Sequence, residues 1–476
     1  MSSKTVFNRI KILSFLFATI FCLLDEGNIY LPMVSNFTLE HSQNKVNNKN
    51  YYTIPLKIGS QGIEFNVQVD TSTSTSWVPS SRCENCVLAQ KTYNDVFSST
   101  SSPTNSVIKL EDEDGNVEGY EVSDNVRLGA YKLKQYGFIQ VTRVADDFRD
   151  HYGGKLGLGY KSHLDNKEFN FLEKLRRNNL IVKKMFSINA INDKRGMLLI
   201  GDLPGKQYNT FCNVTTDIND VDDMYKESWI CHLTHVGVFE TNKGIFNKMK
   251  YYSELENNNL VNFDSAYDYI AVPISEKSYI EELLEKANLK CETSKKSDKK
   301  EIKNESLRNR IREEEVTITC KTDLNELIKK DLCISFVLQG YAYSIPLDLL
   351  FVQSPKSGEM EMLIKYIDDS DAIWTFGYPF MNQFLMIFNM EEGHVGIKKL
   401  RKTALPIVSL TQEWEKWNKN QGNSCSVFKY IAIIILIIIA IVIILLVYRY
   451  IKNIKRKSLK SNDPTFDDGN NKDIVY

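Results

Sequence analysis

Proline and glycine are scarce, 11 and 23 among 476 residues, which excludes a collagen-like or linker-dominated architecture. An excess of either charge is missing too. Lys and Arg number 59 against 60 Asp and Glu, a net of −1, so no global basic field exists to attract nucleic acid. The chain contains no Gly-x-Ser-x-Gly elbow, no His-Glu-x-x-His helix and no phosphate-binding Gly-Lys-Ser/Thr loop, and those enzyme classes lose their support. Histidines number only six, and His232 with His235 forms a His-x2-His that has no third ligand nearby. No metal and no cofactor are expected. What the chain does have is 43% hydrophobic residues, enough for a sizeable core and two ordinary domains.

Long apolar runs are confined to the two ends. Lys4, Arg9 and Lys11 precede the run 12–24, the pattern of a secretory signal peptide, with a retained anchor as the alternative. Ile431 to Val447 is apolar over 17 consecutive residues, the length of a transmembrane helix. Arg449, Lys452, Lys455, Arg456, Lys457 and Lys460 follow it and by the positive-inside rule face the cytosol. The expectation is a single-pass type I membrane protein of the secretory or endosomal system or the cell surface, with its body lumenal or extracellular. Outside the leader's Cys22 there are eight cysteines, an even number for an oxidising compartment, though spacing alone does not pair them. For the C-x2-C of Cys83 and Cys86, a loop-closing disulfide is preferred to zinc, because a ribbon needs a second matching pair. The sequons at Asn36, Asn213 and Asn304 fit a glycoprotein.

The body reads as mainly β. Tyr52, Ile54, Leu56 and Ile58 alternate ahead of the turn signal Gly59-Ser60-Gln61-Gly62, and Phe65, Val67 and Val69 alternate after it. The clearest helical pattern runs from Ser275, as N-cap, to Leu289. Residues 292–315 are almost all charged or polar and read as a solvated insertion. A theme recurs about 190 residues apart: Val67-Gln68-Val69-Asp70-Thr71-Ser72-Thr73 and Val261-Asn262-Phe263-Asp264-Ser265-Ala266-Tyr267. Each has a later partner with two apolar residues set before a glycine, Leu156-Gly157-Leu158-Gly159 and Trp374-Thr375-Phe376-Gly377. Two similar halves follow.

These motifs resemble the pepsin-like aspartic proteases over roughly residues 51–400, and more narrowly plasmepsin-like membrane-anchored members with atypical active-site motifs. Asp70 through Trp77-Val78-Pro79-Ser80, the stretch Gly154 to Tyr160, Met185 to Ile188, Gly196 to Gly201 and Asp264-Ser265 before Ala271-Val272-Pro273 stand in family order. The resemblance implies a mainly β, two-lobed fold with an interlobe cleft, plus one C-terminal transmembrane helix. The expected layout is a signal peptide at 1–24, a short pro-segment or linker at 25–50, an N-terminal lobe at 51–202 and a C-terminal lobe at 203–400. A stalk at 401–427, a membrane helix at 428–448 and a tail at 449–476 complete it. It also implies Asp70 and Asp264 as the catalytic pair, Thr71 and Ser265 as hydroxyls bracing the opposite loop, and Thr73 and Trp77 as supporting residues. A disulfide-closed loop in the family pairs Cys83 with Cys86; Cys291 with Cys320 and Cys212 with Cys231 are the further expected pairs. Cys333 and Cys425 are left over, with Cys425 placed to link two chains.

Such a pair hydrolyses peptide bonds because water is activated on one side of the carbonyl while a proton is delivered on the other. The implied function is a membrane-anchored aspartic endopeptidase acting on proteins or peptides. Departures from the family pattern support a different reading, a catalytically degenerate module that binds a protein partner in a complex. Ser72 and Ala266 replace the glycine after each Asp-hydroxyl pair, Tyr267 and Asp268 follow the second, and the flap segment Ile108 to Gly115 lacks a tyrosine. Asp268 is expected near the pair, where its charge would raise the shared proton's pKa, and the Tyr267 ring is expected in the substrate path.

Overall fold

Strict two-residue alternation shapes the first lobe. In strand β2 (Asn50–Ile58), after β1 (Ile29–Phe37), Tyr52, Ile54, Leu56 and Ile58 are buried while Pro55 and Lys57 are exposed. That puts one face on the core. Strand β3 (Ile63–Asp70) returns antiparallel with Ile54 opposite Val67 and Leu56 opposite Phe65. Gly59 and Gly62, at φ +82° and +65°, make the connection, a conformation that costs glycine nothing. This is a computed structural model; it describes residues 29–37, most of 50–400, positions 407–409 and Arg449, with breaks in the body at 111–115, 145–152, 162–168, 202–209, 216–224 and 296–313 and at a few shorter loops. The chain divides into two units, 1–408 and 409–476, and the described residues lie almost wholly in the first. The expected leader, membrane helix and tail lie outside the described residues, Arg449 apart; among those described, no helix is long and apolar enough to cross a membrane.

The N-terminal lobe continues with β4 (Trp77–Glu84), β5 (Ser102–Leu110), β6 (Val117–Leu128), β7 (Tyr131–Val144) and the short β8 (Lys155–Gly157). In the sheet their order is β2-β3-β8-β4-β7-β6-β5. Helix α1 (Phe171–Arg177) is capped by Asn170, whose side chain accepts from the Glu173 N–H. Strands β9 (Met185–Asn192) and β10 (Arg195–Ile200) then form a platform that the C-terminal lobe joins. In the same sheet, β11 (Phe211–Asn213) pairs with a late strand, His394–Lys399, which follows Phe384–Asn389 onto β9. Strand β1 closes that platform between β10 and β2. Residues 29–37, within the segment expected as a short pro-segment or linker, thus form a strand of this sheet.

The second lobe repeats the plan. Strand β12 (Ile230–Asn242) pairs with β13 (Ile245–Glu254) and β14 (Leu260–Phe263), and β15 (Ile270–Pro273) leads into α2 (Lys277–Lys286). Ile280, Leu283 and Leu284 face the core as the periodicity predicts. The start differs: Ser275 lies in a 3₁₀ turn at 274–276, and Glu276 precedes the helix without a side-chain cap. Strands β16 (Cys291–Lys295) and β17 (Glu314–Cys320) pair antiparallel with Cys291 opposite Cys320. Both ends of the charged stretch are thus strands, and its centre lies outside the described residues. Helix α3 (Leu324–Lys330), β18 (Leu332–Leu338), β19 (Tyr341–Pro346), β20 (Phe351–Gln353), β21 (Met360–Asp368) and β22 (Trp374–Phe376) complete the lobe.

Candidate active site

Each aspartate sits where a strand leaves its sheet against a short parallel partner. Asp70 ends β3, and β8 runs alongside with Gln68 opposite Lys155, Val69 opposite Leu156 and Asp70 opposite Gly157. Asp264 follows β14, and β22 runs alongside with Asn262 opposite Thr375 and Phe263 opposite Phe376. The loops after the aspartates pass close over the glycines that end these partners. A Cβ on Gly157 would stand 2.5 Å from the Ser74 carbonyl carbon, and one on Gly377 would strike the Tyr269 and Tyr267 carbonyl oxygens. Only glycine permits that approach. The repeat seen in the sequence is therefore a repeat of backbone packing.

Hydroxyls lock the two loops together. Thr71 Oγ1 donates to the Phe263 carbonyl at 2.7 Å and accepts from the Ser265 N–H at 3.0 Å. Ser265 Oγ donates to the Val69 carbonyl at 2.6 Å. Asp70 Oδ1 accepts from the Ser72 N–H at 2.8 Å, and Asp264 Oδ1 accepts from the Ala266 N–H at 2.8 Å. Both carboxyls are buried, at 0% and 2% exposure. Burial first, and then the Asp70 charge, push the Asp264 carboxyl up to about 8. A pair in this condition holds one proton between two acids, behaviour for which aspartic proteases are the standard illustration.

Three side chains shape this site that sequence reasoning did not single out for it. Lys155, itself fully buried, brings Nζ to 3.2 Å from Asp70 Oδ2. The contact is one of charge, since Asp70 Oδ2 has no hydrogen-bond partner of sound geometry. Lys155 also lowers the Asp264 carboxyl, against the two larger effects that raise it. Ser72, which stands where the family has a glycine, donates its hydroxyl to Asp70 Oδ1 at 2.7 Å and acts to lower the Asp264 carboxyl. Glu227, from the second lobe, accepts from Thr73 Oγ1 at 2.8 Å and from the Ser74 N–H at 2.7 Å. Its neighbours complete a clamp: Ser228 Oγ donates to the Ser72 carbonyl at 2.9 Å and Trp229 Nε1 to the Leu158 carbonyl at 2.8 Å. Lys155 had a signal in the sequence, an odd cation inside an apolar Leu-Gly-Leu-Gly run. Glu227 had none.

The other expected residues are distributed as follows. Trp77 is buried with Val117, Ile139, Val141 and Phe169 beneath the β5–β6 hairpin; the loop 111–115 lies outside the described residues. Thr73 serves the clamp to Glu227. The half-buried Tyr267 directs its ring to Tyr269, centroids 5.2 Å apart, beside Ala271 and Ile367. Of the charges that bear on Asp264, Asp70 raises its carboxyl and Lys155 lowers it. Disulfides join Cys83 to Cys86, Cys212 to Cys231 and Cys291 to Cys320. Cys333 is a buried free thiol, pushed up to about 12 by burial; Cys425 lies outside the described residues. His235 stacks on Tyr252 at 4.6 Å.

A duplicated β lobe presenting two braced, proton-sharing aspartates defines a protein of the aspartyl-protease class. Residues 51–400 match the eukaryotic aspartyl protease family, to which the chain therefore belongs. Pregnancy-associated glycoprotein 1 of Sus scrofa is 29% identical over 179 residues, 37% of this chain and 45% of that protein. An aspartic proteinase of Oryza sativa subsp. japonica is 29% identical over 170 residues, 34% of each chain. Candidapepsin-3 of Candida albicans is 27% identical over 176 residues, 34% of this chain and 43% of that protein. The chain thus spans about half or less of the length of these relatives.

Proposed function

We propose that the chain is an aspartic endopeptidase of plasmepsin-like type, tethered to a membrane through 428–448 with its two-lobed body on the lumenal or extracellular side. The observation that carries the reading is the reciprocal brace of Thr71 and Ser265, which holds two acids together with one proton between them. In this reading water enters between the carboxyls. One carboxylate takes a proton from it as the oxygen attacks the peptide carbonyl, and the protonated partner donates to the carbonyl oxygen. Collapse of the tetrahedral adduct returns a proton to the leaving amine. The apolar run and the basic residues after it support the tether and its orientation, and the disulfides support an oxidising compartment.

One observation favours a second reading. The Ser72 hydroxyl donates to Asp70, a carboxyl that the attacking water needs to reach, and the acids are almost wholly buried. On that reading the fold is retained as a peptide- or protein-binding module without cleavage. The test is full-length protein against a peptide library from acid to mildly alkaline pH, alongside Asp70→Asn and Asp264→Asn. Cleavage lost in both variants supports the endopeptidase. No cleavage by the wild type, with tight binding of a statine-type mimic gained only in Ser72→Gly/Ala266→Gly, supports the module.

A further inference from the structure

We propose that Lys155 is a resident counter-ion of the aspartate pair, a positioning residue that pins the pair's single negative charge on Asp70 and leaves the proton on Asp264. The inference rests on the reading of Asp70 and Asp264 as a proton-sharing pair and adds that its two members are unequal before any substrate arrives.

The geometry carries it. Lys155 opens β8, directly opposite Gln68, two residues ahead of Asp70 on β3. There it lines a small pocket together with Ser76, Trp77 and Tyr136, and its ammonium reaches Asp70 Oδ2 at 3.2 Å. Neither side chain has any exposure to water. An ammonium in so dry a place needs an anion beside it, and the carboxylate it touches is the one whose charge it stabilises. The lobes are otherwise repeats, and the repeat shows that this charge belongs to one half only. Lys155 stands two residues before Gly157 as Thr375 stands two before Gly377, and Thr375 is neutral. Asp264, pressed against that neutral partner strand, has no cation of its own lobe among the groups that govern it.

Tyr136 and Glu227, also titratable and near the loops, make contacts of their own. Tyr136 places its hydroxyl on Ser76 at 2.7 Å and on the Phe169 carbonyl. Glu227 is turned to Thr73 and the Ser74 N–H. Asp268 is partly exposed on the second loop. With the ammonium fixed on the Asp70 side, the roles in peptide cleavage are assigned in advance: Asp70 accepts the proton of water and Asp264 donates to the carbonyl.

The experiment compares full-length wild type with Lys155→Met, reading two pH profiles: binding of a statine-type mimic, and the midpoint of thermal unfolding. A nearby cation lowers a carboxyl's pKa by about 1 to 3 units, so Lys155→Met moves the alkaline limb of both profiles upward by that amount. Superimposable limbs overturn the inference even if the wild type cleaves peptides well. If the wild type neither cleaves nor binds the mimic, the endopeptidase reading fails while the unfolding profile still decides the role of Lys155. Should Lys155→Met not fold, Asp70→Asn and Lys155→Met/Asp70→Asn carry the test, because they lack the buried anion. The double variant then titrates Asp264 at least about one unit above the single variant; coincident curves overturn the proposal.

Discussion

Replacing Asp264 by asparagine should make the protein more stable at neutral pH, although the residue removed is the proposed proton donor. The folded state holds the Asp264 proton up to about pH 8, whereas the unfolded chain releases it near 3.8. Between those values the folded state binds the extra proton, so stability is lost as pH rises through the window. Asparagine is neutral throughout and keeps an oxygen to accept the Ala266 N–H. The interval is about four units, which at roughly 1.4 kcal/mol per unit sets a ceiling of about 6 kcal/mol. Asp70 and Lys155 relax together with Asp264, so roughly half, about 3 kcal/mol, is the working expectation.

The assay is thermal unfolding of both proteins across that pH range. Unfolding entropy of about 2.1 cal/mol/K per residue gives roughly 0.7 kcal/mol/K for a body the size of residues 51–400. The midpoint of Asp264→Asn, relative to wild type, should therefore gain about 4 °C and at most about 8 °C between acid and mildly alkaline pH. Any constant offset reports the cost of the amide itself and carries no weight; the slope is the prediction. A difference that stays flat across the window would refute the reasoning, because Asp264 would then hold no extra proton in the folded state. Asp268→Asn is the control, with no comparable slope expected.

Ser72→Ala removes a hydrogen bond that favours the ionised form of Asp264, so the alkaline limb of the same unfolding profile should rise by about one unit; a fall would show that the hydroxyl does not face that carboxyl. Glu227→Ala strands the Thr73 hydroxyl and the Ser74 N–H and should cost about 2 to 3 kcal/mol in urea unfolding, whereas Glu227→Gln, which keeps an acceptor, should cost less. Gly157→Ala forces a Cβ against the backbone at Ser74 and should cost more than about 3 kcal/mol or abolish folding, measured as the yield of soluble protein. Non-reducing peptide mapping should recover the 83–86, 212–231 and 291–320 bridges; Cys333 paired in that map would contradict its burial as a free thiol.

What could be read from the sequence was what repeats or alternates. Two-residue alternation gave β2 and β3, and the doubled Asp-hydroxyl theme gave both aspartates, because each is a local regularity tied to one backbone geometry. The residues that escaped are those whose meaning depends on direction. Lys155 stands inside a motif otherwise recognised for its glycines, and only the parallel register of β8 on β3 turns its side chain toward Asp70. In the sequence Ser72 shows only as a replacement for glycine, and its meaning lies in the hydroxyl, which donates to Asp70 and acts to lower the Asp264 carboxyl. Glu227 comes from the far lobe, 154 residues from Thr73, and no spacing rule anticipates a contact made by lobe packing. Asp264 is set first by burial and then by the Asp70 charge, both raising it, against the Ala266 N–H, Lys155 and Ser72, which lower it. The question of activity turns on two side chains, Ser72 and Lys155. Water must displace the Ser72 hydroxyl from Asp70, and Asp70 must accept a proton while an ammonium stands against it.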